Sequence, residues 1–365
     1  MCERTYNGIR PAVVSYLTLY YATKAAVGEA FGQFVNRQQA YGRLDRVVVD
    51  ECHVVLDSRG GWRTEILELR QLVRLQTQLV YLTATLMPSE EREFIRCMGL
   101  PIKEKIQWFR APTERKNVTY QVKCCTREEE TQVLSGLVER KKKQYGKRGK
   151  IIVYCGTVDQ TEALASELGA AVFHRNAGNK EYKSAVLHQL KGEDGQQVFT
   201  AINALGLGVD APTIRVVIHV GQVRRLRDYS QESGRAGRDR AKSEAIILNT
   251  AKIKARSNWM DDGLRQYVWS GRCRRMVLSE FMDGIERGPC EEGEQACDIC
   301  GGADDIKELA QVRTGGELEV MDAGVSPSLR FEFQREMQQR RVIEAIDRES
   351  RRDEMEEVDK LRRLM

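Results

Sequence analysis

The chain has no long hydrophobic run. Nowhere in its 365 residues does an apolar stretch reach the roughly 18 positions that a membrane-spanning helix needs. Its amino terminus, MCERTYNGIR, also lacks the apolar core of a signal peptide. These two absences predict a soluble intracellular protein with no membrane partner. Charge of one sign is not strongly in excess: the formal net charge is +5, a balance that permits nucleic acid without demanding it. No sequence repeat recurs at a fixed period, which argues against solenoids and propellers. Cysteine is not scarce, at ten residues, but an intracellular chain of this size has little need of disulfides. Six cysteines are scattered (Cys2, Cys52, Cys97, Cys124, Cys125 and Cys155), and the other four are grouped towards the carboxyl end.

With 41% hydrophobic and 30% charged residues, the chain is long enough for two globular domains and a further module. Over residues 1–115, short strands (Val47 to Val49, Leu79 to Thr83) alternate with helical patterns such as Arg63 to Gln78. The valine run has no polar alternation and predicts a strand buried on both faces, as in a parallel sheet. Over residues 116–251 the scheme repeats as YQVKC, IIVYC, AVFH, QVFTAI, RVVIHV and AIILN, with helical stretches between. Regular strand and helix alternation predicts a second parallel α/β domain. Residues 252–305 form a cysteine-bearing module. The tail, 306–365, carries ten basic and ten acidic residues between Arg330 and Met365, and reads as an exposed helix or a partly disordered extension.

Two segments carry the clearest chemistry. In VVVDECHVVLD, Asp50 and Glu51 sit at the carboxyl end of a strand, where open parallel sheets bind ligands. A strand-end aspartate can hold Mg²⁺ directly or through water. In QESGRAGRD (Gln231 to Asp239), Gly234 and Gly237 keep the backbone slim around Arg235 and Arg238, two guanidinium groups suited to phosphate oxygens. Taken alone, the carboxylates also fit a solvated turn after a buried strand, and the arginines a solvated basic helix start.

Taken in order, these segments resemble the motifs of superfamily 2 helicases, and Asp50-Glu51-Cys52-His53 is similar to the second motif of the RecQ family. Thr83-Ala84-Thr85 looks like the third motif, and Ile152 to Cys155 with Gly156 like the fourth. Ala201 to Asp210 looks like the fifth, and QESGRAGRD like the sixth. The resemblance covers about residues 40–300. It implies an α/β fold of two RecA-like parallel-sheet lobes, the first incomplete, followed by a small helical zinc-binding module. The lobes would occupy residues 1–115 and 116–251. The activity it implies is that of an ATP-dependent 3′–5′ DNA helicase, a hydrolase and isomerase of recombination and repair, with a nuclear location and single-stranded and forked or branched DNA as partners.

Cleavage of ATP between its β and γ phosphates needs a metal ion, a positioned water and positive charge on the transferring group. By the resemblance, Asp50 holds Mg²⁺, Glu51 orients the water, Arg238 is the arginine finger and Arg235 supports it across a cleft between lobes. His53, Thr83, Thr85, Asp210 and Gln231 would couple nucleotide to DNA. As residues they also allow a hydrogen-bonded histidine at a helix start and ordinary strand-end threonines. Trp62 and Arg63, in the loop DSRGGWR, occupy the place of the family's aromatic-rich DNA-binding loop; packing of Trp62 against the next helix is the other reading. Lys141, Lys142 and Lys143 with Lys147, Arg148 and Lys150 form a basic run that suits nucleic acid or a solvated helix end.

Cys273, Cys290, Cys297 and Cys300 have 16, 6 and 2 residues between successive members. Four thiolates satisfy a closed tetrahedral Zn²⁺ site, structural because no position is left for water. Their place matches the RecQ zinc module, although the gap after Cys290 exceeds the family's usual two. Two other departures bear on function. Ile202 stands where the fifth motif usually has threonine, which removes a hydroxyl contact to DNA phosphate. The phosphate loop, GxxxxGK followed by Ser or Thr, is absent from these 365 residues. Gly146-Lys147-Arg148-Gly149-Lys150 has the wrong spacing and no hydroxyl. The 49 residues before DECH are fewer than the family places there, so the expectation is a helicase core truncated within its first lobe. The alternative is a non-catalytic DNA-binding or interaction fragment.

Overall fold

The computed structural model describes residues 28–57, 64–75, 77–101, 106–192, 195–202, 211–221, 223–250 and 260–301. Trp62, Arg63, Asp210 and the tail from residue 302 onward lie outside them. The chain divides into two compact units, Met1–Leu86 with Glu90–Trp108, and Met87–Ser89 with Phe109–Met365.

In the first unit, α1 (Glu29–Ala40) precedes β1 (Arg46–Val49), which pairs in parallel with β2 (Gln78–Tyr81) in the register Arg46 to Gln78 through Val49 to Tyr81. Between the strands lie a single helical turn, α2 (Val54–Asp57), and a 3₁₀-helix, Thr64–Arg74. The helical pattern expected from Arg63 to Gln78 is thus realised as the tighter form. Leu69, Leu72 and Leu75 recur every three residues, the period that keeps one face aligned when there are three residues per turn, and Leu69 and Leu72 are buried. α3 (Glu91–Met98) ends at Gly99, whose positive φ of 60° lets the chain turn back without a Cβ penalty. Val55, Leu69, Leu72, Phe94 and Met98 form the core, and Tyr81 meets Phe94 edge to face at 5.5 Å.

The valine strand corrects one expectation. Burial alternates along β1, and Val48 is 50% exposed. Val47 and Val49 point into the core. Among the described residues this sheet has two strands with one face packed on the core, and successive side chains point to opposite faces.

The second unit is a six-stranded, wholly parallel sheet of β3 (Val118–Cys125), β4 (Lys150–Cys155), β5 (Ala171–Phe173), β6 (Val198–Ala201), β7 (Ile214–Val220) and β8 (Ser243–Thr250). Its spatial order is β3-β8-β7-β4-β6-β5. Each apolar run read as a strand in residues 116–251 becomes one of these six. Every residue of β4 is buried, as expected of a strand covered on both faces. Ile151, Val153 and Cys155 face α4 (Glu130–Tyr145) and α5 (Val158–Leu168), together with Leu134, Leu137 and Leu164. Ile152 and Tyr154 face the other way.

That opposite face is closed partly by α6 (Lys180–Lys191) and α7 (Leu226–Ser233), and partly by α8 (Asp262–Trp269) and α9 (Arg274–Leu278) of the cysteine-bearing segment. Leu264, Tyr267, Val277 and Cys297 share one core with Ile152, Phe199 and Val217. Asp261 ties the two parts together: it caps α8 through Leu264 N at 2.7 Å and accepts Leu226 N of α7 at 2.9 Å. The basic run is partly consumed by the fold. Lys141 pairs with the buried Glu244 at 2.8 Å, where Tyr145 Oη also donates, and Lys142 pairs with Glu139.

Ile152 is wholly buried at the centre of this sheet. Ile152→Ala is expected to cost the second unit about 2–5 kcal/mol, the price of the lost methylenes plus the cavity. Chemical denaturation followed by tryptophan fluorescence checks this; an unchanged midpoint would show that the site collapses without cost.

Candidate functional site

In the first unit, Asp50 stands exposed just beyond the carboxyl end of β1. The chain then turns sharply, because Glu51 adopts a positive φ of 49°. For a residue other than glycine this conformation costs on the order of 1–3 kcal/mol, and the surroundings must impose it. Glu51 N donates to Asp50 Oδ1 at 2.8 Å, and Cys52 N donates to Leu82 O at 3.0 Å, continuing the β1–β2 pairing into the turn. His53 is buried with Nδ1 2.9 Å from Thr83 Oγ1 and 3.4 Å from Glu51 Oε2. Thr83 Oγ1 also accepts Thr85 N at 3.1 Å. The structure therefore joins His53, Thr83 and Thr85 into one hydrogen-bonded group across the two strand ends, with the Glu51 carboxylate beside it. Burial pushes the Cys52 thiol up to about 12, so Cys52 packs as a neutral side chain.

In the second unit, Gln231 and Glu232 lie in the last turn of α7, and Gly234 ends it. Arg235 N and Ala236 N donate back to Glu232 O and Ser233 O, and Gly237 N donates to Ile214 O at 2.9 Å. The turn separates the two arginines. Arg235 is 3% exposed, whereas Arg238 is exposed to solvent. Arg235 lies near the Tyr154 hydroxyl: burial pushes that phenol up, and the neighbouring guanidinium partly offsets the shift. Glu232 is itself buried and accepts from His219 Nε2 at 2.8 Å. His219 stacks on Tyr154 with centroids 5.2 Å apart and contacts Tyr229, which meets Tyr267 hydroxyl to hydroxyl at 2.8 Å. Gly237 is required here: its φ is +62°, and a Cβ would lie 2.4 Å from Asn117 Nδ2 and 2.8 Å from Ala241 O.

The four grouped cysteines converge. Their Sγ atoms all lie within 4.8 Å of one another, with Cys273 to Cys290 at 3.6 Å and Cys273 to Cys297 at 3.7 Å. Four sulfurs around an ion at the usual Zn–S bond length would be roughly 3.8 Å apart, so the donor set fits a tetrahedral metal ion. The separations far exceed a disulfide bond of about 2.05 Å. Cys297 N donates to Cys290 Sγ at 3.4 Å. The hydrogen bond that Cys297 donates to Cys273, then burial, push the Cys297 thiol up to about 12, and the same contact holds Cys273 below its ordinary value. Between two of the ligands, Asp298 receives both Nε and Nη2 of Arg274 at 2.8 Å and also Val122 N at 3.0 Å. The cluster is thereby pinned to β3.

Nothing local in the sequence signals His219, Glu232, Arg115 and Asn117, whose partners lie more than ten residues away in the chain.

The family described as the helicase conserved C-terminal domain matches residues 130–240. The ATP-dependent DNA helicase RecQ of Haemophilus influenzae is 25% identical over 308 residues, 77% of this chain and 46% of the relative. The ATP-dependent DNA helicase Q1 of Rattus norvegicus is 27% identical over 310 residues, 78% of this chain and 48% of the relative. The RecQ-like DNA helicase BLM of Xenopus laevis is 28% identical over 324 residues, 80% of this chain and 23% of the relative. The chain thus spans about half, or less, of the length of these curated relatives. In fold it is similar to S. cerevisiae Dbp5 bound to RNA and ADP BeF3, with a TM-score of 0.50 at 16% identity, covering 77% of this chain and 66% of that one.

Elemental analysis of the purified chain is expected to find about one zinc ion. Cys297→Ser should lower the metal content. It should also lower the thermal midpoint of the second unit, because Cys273 and Cys297 belong to its core. For a domain of this size each lost kcal/mol corresponds to roughly 2–4 °C. A metal-free protein of unchanged stability would remove the site.

Proposed function

We propose that the chain is a RecQ-family helicase, as its similarity to the RecQ, Q1 and BLM helicases supports, and that it forms part of an ATP-driven motor that moves 3′ to 5′ on single-stranded DNA and separates the duplex ahead. The observation that carries this reading is the hydrogen-bonded group of His53, Thr83 and Thr85 with the Glu51 carboxylate 3.4 Å from His53, beside Asp50. Such a group links the carboxylates that act on nucleotide to a second strand end, which is what coupling requires. Asp50 would hold Mg²⁺, whose chemistry is to neutralise charge on the β and γ phosphates. Glu51 would orient the attacking water. Arg238, being exposed, would supply positive charge to the transferring phosphoryl group, and buried Arg235 would hold the turn beneath it. Gln231 and Asp210 would report the nucleotide to the DNA-binding parts. The cysteine cluster would hold a structural Zn²⁺, with no catalytic part.

DNA contact in such a motor is directed mainly at the backbone and at base faces, since translocation cannot depend on one sequence. Single strands and forked or branched DNA would be the partners, and the nucleus the site of action in recombination and repair. Among the described residues no helix is long and apolar enough to cross a membrane. A second reading, a non-catalytic DNA-binding or interaction module, is favoured by one observation: these 365 residues contain no GxxxxGK followed by Ser or Thr.

Two measurements follow from this reading. If Trp62 and Arg63 stack on and neutralise the strand, replacing both with alanine should weaken single-strand binding by roughly 1–3 kcal/mol for the stacked base. A phosphate contribution that shrinks as salt rises should be lost as well. Unchanged low-salt binding by a folded variant would return Trp62 to a packing role.

The second measurement is phosphate release with and without single-stranded DNA. The 365-residue chain alone should show no DNA-stimulated release, because the nucleotide lacks the cradle that supplies most of its positioning. Joined to a segment that provides the loop, it should hydrolyse ATP, and Glu51→Gln should then reduce kcat by about 10²–10⁴. Hydrolysis by the chain alone, abolished by Glu51→Gln, would show that the loop is dispensable. No hydrolysis by the joined protein would favour the binding module.

A further inference from the structure

The turn that bears Arg235 and Arg238 is held from outside its own helix. Arg115 Nη1 donates to the carbonyls of Gly234 at 3.0 Å and Ala236 at 3.3 Å, bracketing Arg235. Asn117 Nδ2 donates to Gly237 O at 2.9 Å and Ala241 O at 2.7 Å, bracketing Arg238. Gly237 approaches so closely that any Cβ there would strike Asn117. Both donors belong to the short segment that leads into β3, and that segment has no regular secondary structure to fix it.

What fixes it is the cysteine-bearing segment. Arg275, two residues after Cys273, has no exposed surface. Its guanidinium donates to the Glu114 carboxylate and to the carbonyls of Arg115 at 3.0 Å, Lys116 at 3.3 Å, Val118 at 2.8 Å and Gln295 at 3.0 Å. Arg287 binds both Glu114 and Glu294, and Gln295 N donates to Lys116 O at 2.8 Å. A buried guanidinium is tolerated only where its charge is paired and its donors are satisfied. The charge of Arg275 is paired, and both its Nη groups find acceptors, only when residues 114–118 follow this path. The path, in turn, presents Arg115 and Asn117 to the arginine-bearing turn.

We propose that Arg115 and Asn117 are positioning residues for Arg235 and Arg238, and that Arg275 makes their grip depend on the folded cysteine module. The inference rests on the reading that these arginines act on nucleotide phosphate. A donor that pins the carbonyls on either side of an arginine restricts the backbone from which the guanidinium projects, without touching the ligand. Loss of the donor leaves the turn free to sample other conformations, which lowers the fraction of molecules with the finger in place.

The test is hydrogen exchange of the amides of residues 236–240 in the full chain, where Gly237 N and Arg240 N are hydrogen-bonded reporters. Asn117→Ala and Arg115→Ala are each expected to speed exchange there about tenfold, the order of one lost hydrogen bond. Metal content and exchange in β4 and β6 should not change. Arg115→Lys, which keeps the charge but not the forked reach, should give an intermediate rate. Arg275→Lys should speed exchange in both 114–118 and 236–240; should that variant fail to fold, the Arg115 and Asn117 variants still decide. Unchanged exchange at 236–240 in both alanine variants overturns the proposal. In a version joined to a phosphate loop, the same variants should lower kcat about tenfold with KM for ATP changed less than about twofold. Faster exchange with unaltered kcat would uphold the grip and overturn the phosphate role given to the arginines.

Discussion

A parallel sheet buried on both faces leaves a ligand only the strand ends and the loops that spring from them, and this constraint organises the second unit. β4, β7 and β8 are buried along almost their whole length, so no side chain in their interiors is free for chemistry. Reactive groups must be carried by turns outside the sheet, and those turns need anchors of their own. The arginine-bearing turn after α7 is anchored by Gly237 N on Ile214 O, by Arg115 and by Asn117. The same logic acts in the first unit, where Asp50 and Glu51 project from the end of β1 through a left-handed turn held by its neighbours.

Buried charge does the anchoring. Arg275 is the largest fully buried side chain of the described residues, and its neighbours Glu114, Glu294 and Arg287 complete an ionic cluster around it. Arg274 serves Asp298 and passes over the Tyr267 ring at 5.6 Å. Removing one partner from such a cluster leaves an uncompensated charge, which costs far more than the pair contributes when intact. These groups therefore specify one arrangement rather than adding much stability. They join the cysteine segment to the sheet through a common core, so residues 260–301 are a structural part of the second unit.

How much of this was legible depends on how local the signal is. The six strands of the second sheet were readable because each is a short run of apolar, mostly β-branched residues between helical stretches. Their spatial order was not, because a parallel crossover can skip over any number of neighbours. The helix over Thr64–Arg74 was legible but its pitch was not, since leucines at intervals of three satisfy a 3₁₀ period as well as an imperfect α period. Val48 read as buried because a run of three valines cannot report that, among the described residues, only one face of its sheet is packed.

The sequence by itself determined which residues are available for chemistry: DECH at a strand end, the threonines that follow the next strand, two arginines flanked by glycines, and four cysteines at spacings a metal can use. These are properties of residue type and short separation, which a linear string preserves. Tertiary structure alone decided that Arg235 is buried while Arg238 is exposed, that His53 meets Thr83, and that Arg115, Asn117 and Arg275 control the arginine-bearing turn. The partners of these last three are largely backbone carbonyls more than a hundred residues away in the chain. Every residue carries such a carbonyl, so nothing in the identity of Gly234, Ala236 or Val118 marks it as an acceptor until the fold brings the guanidinium to it.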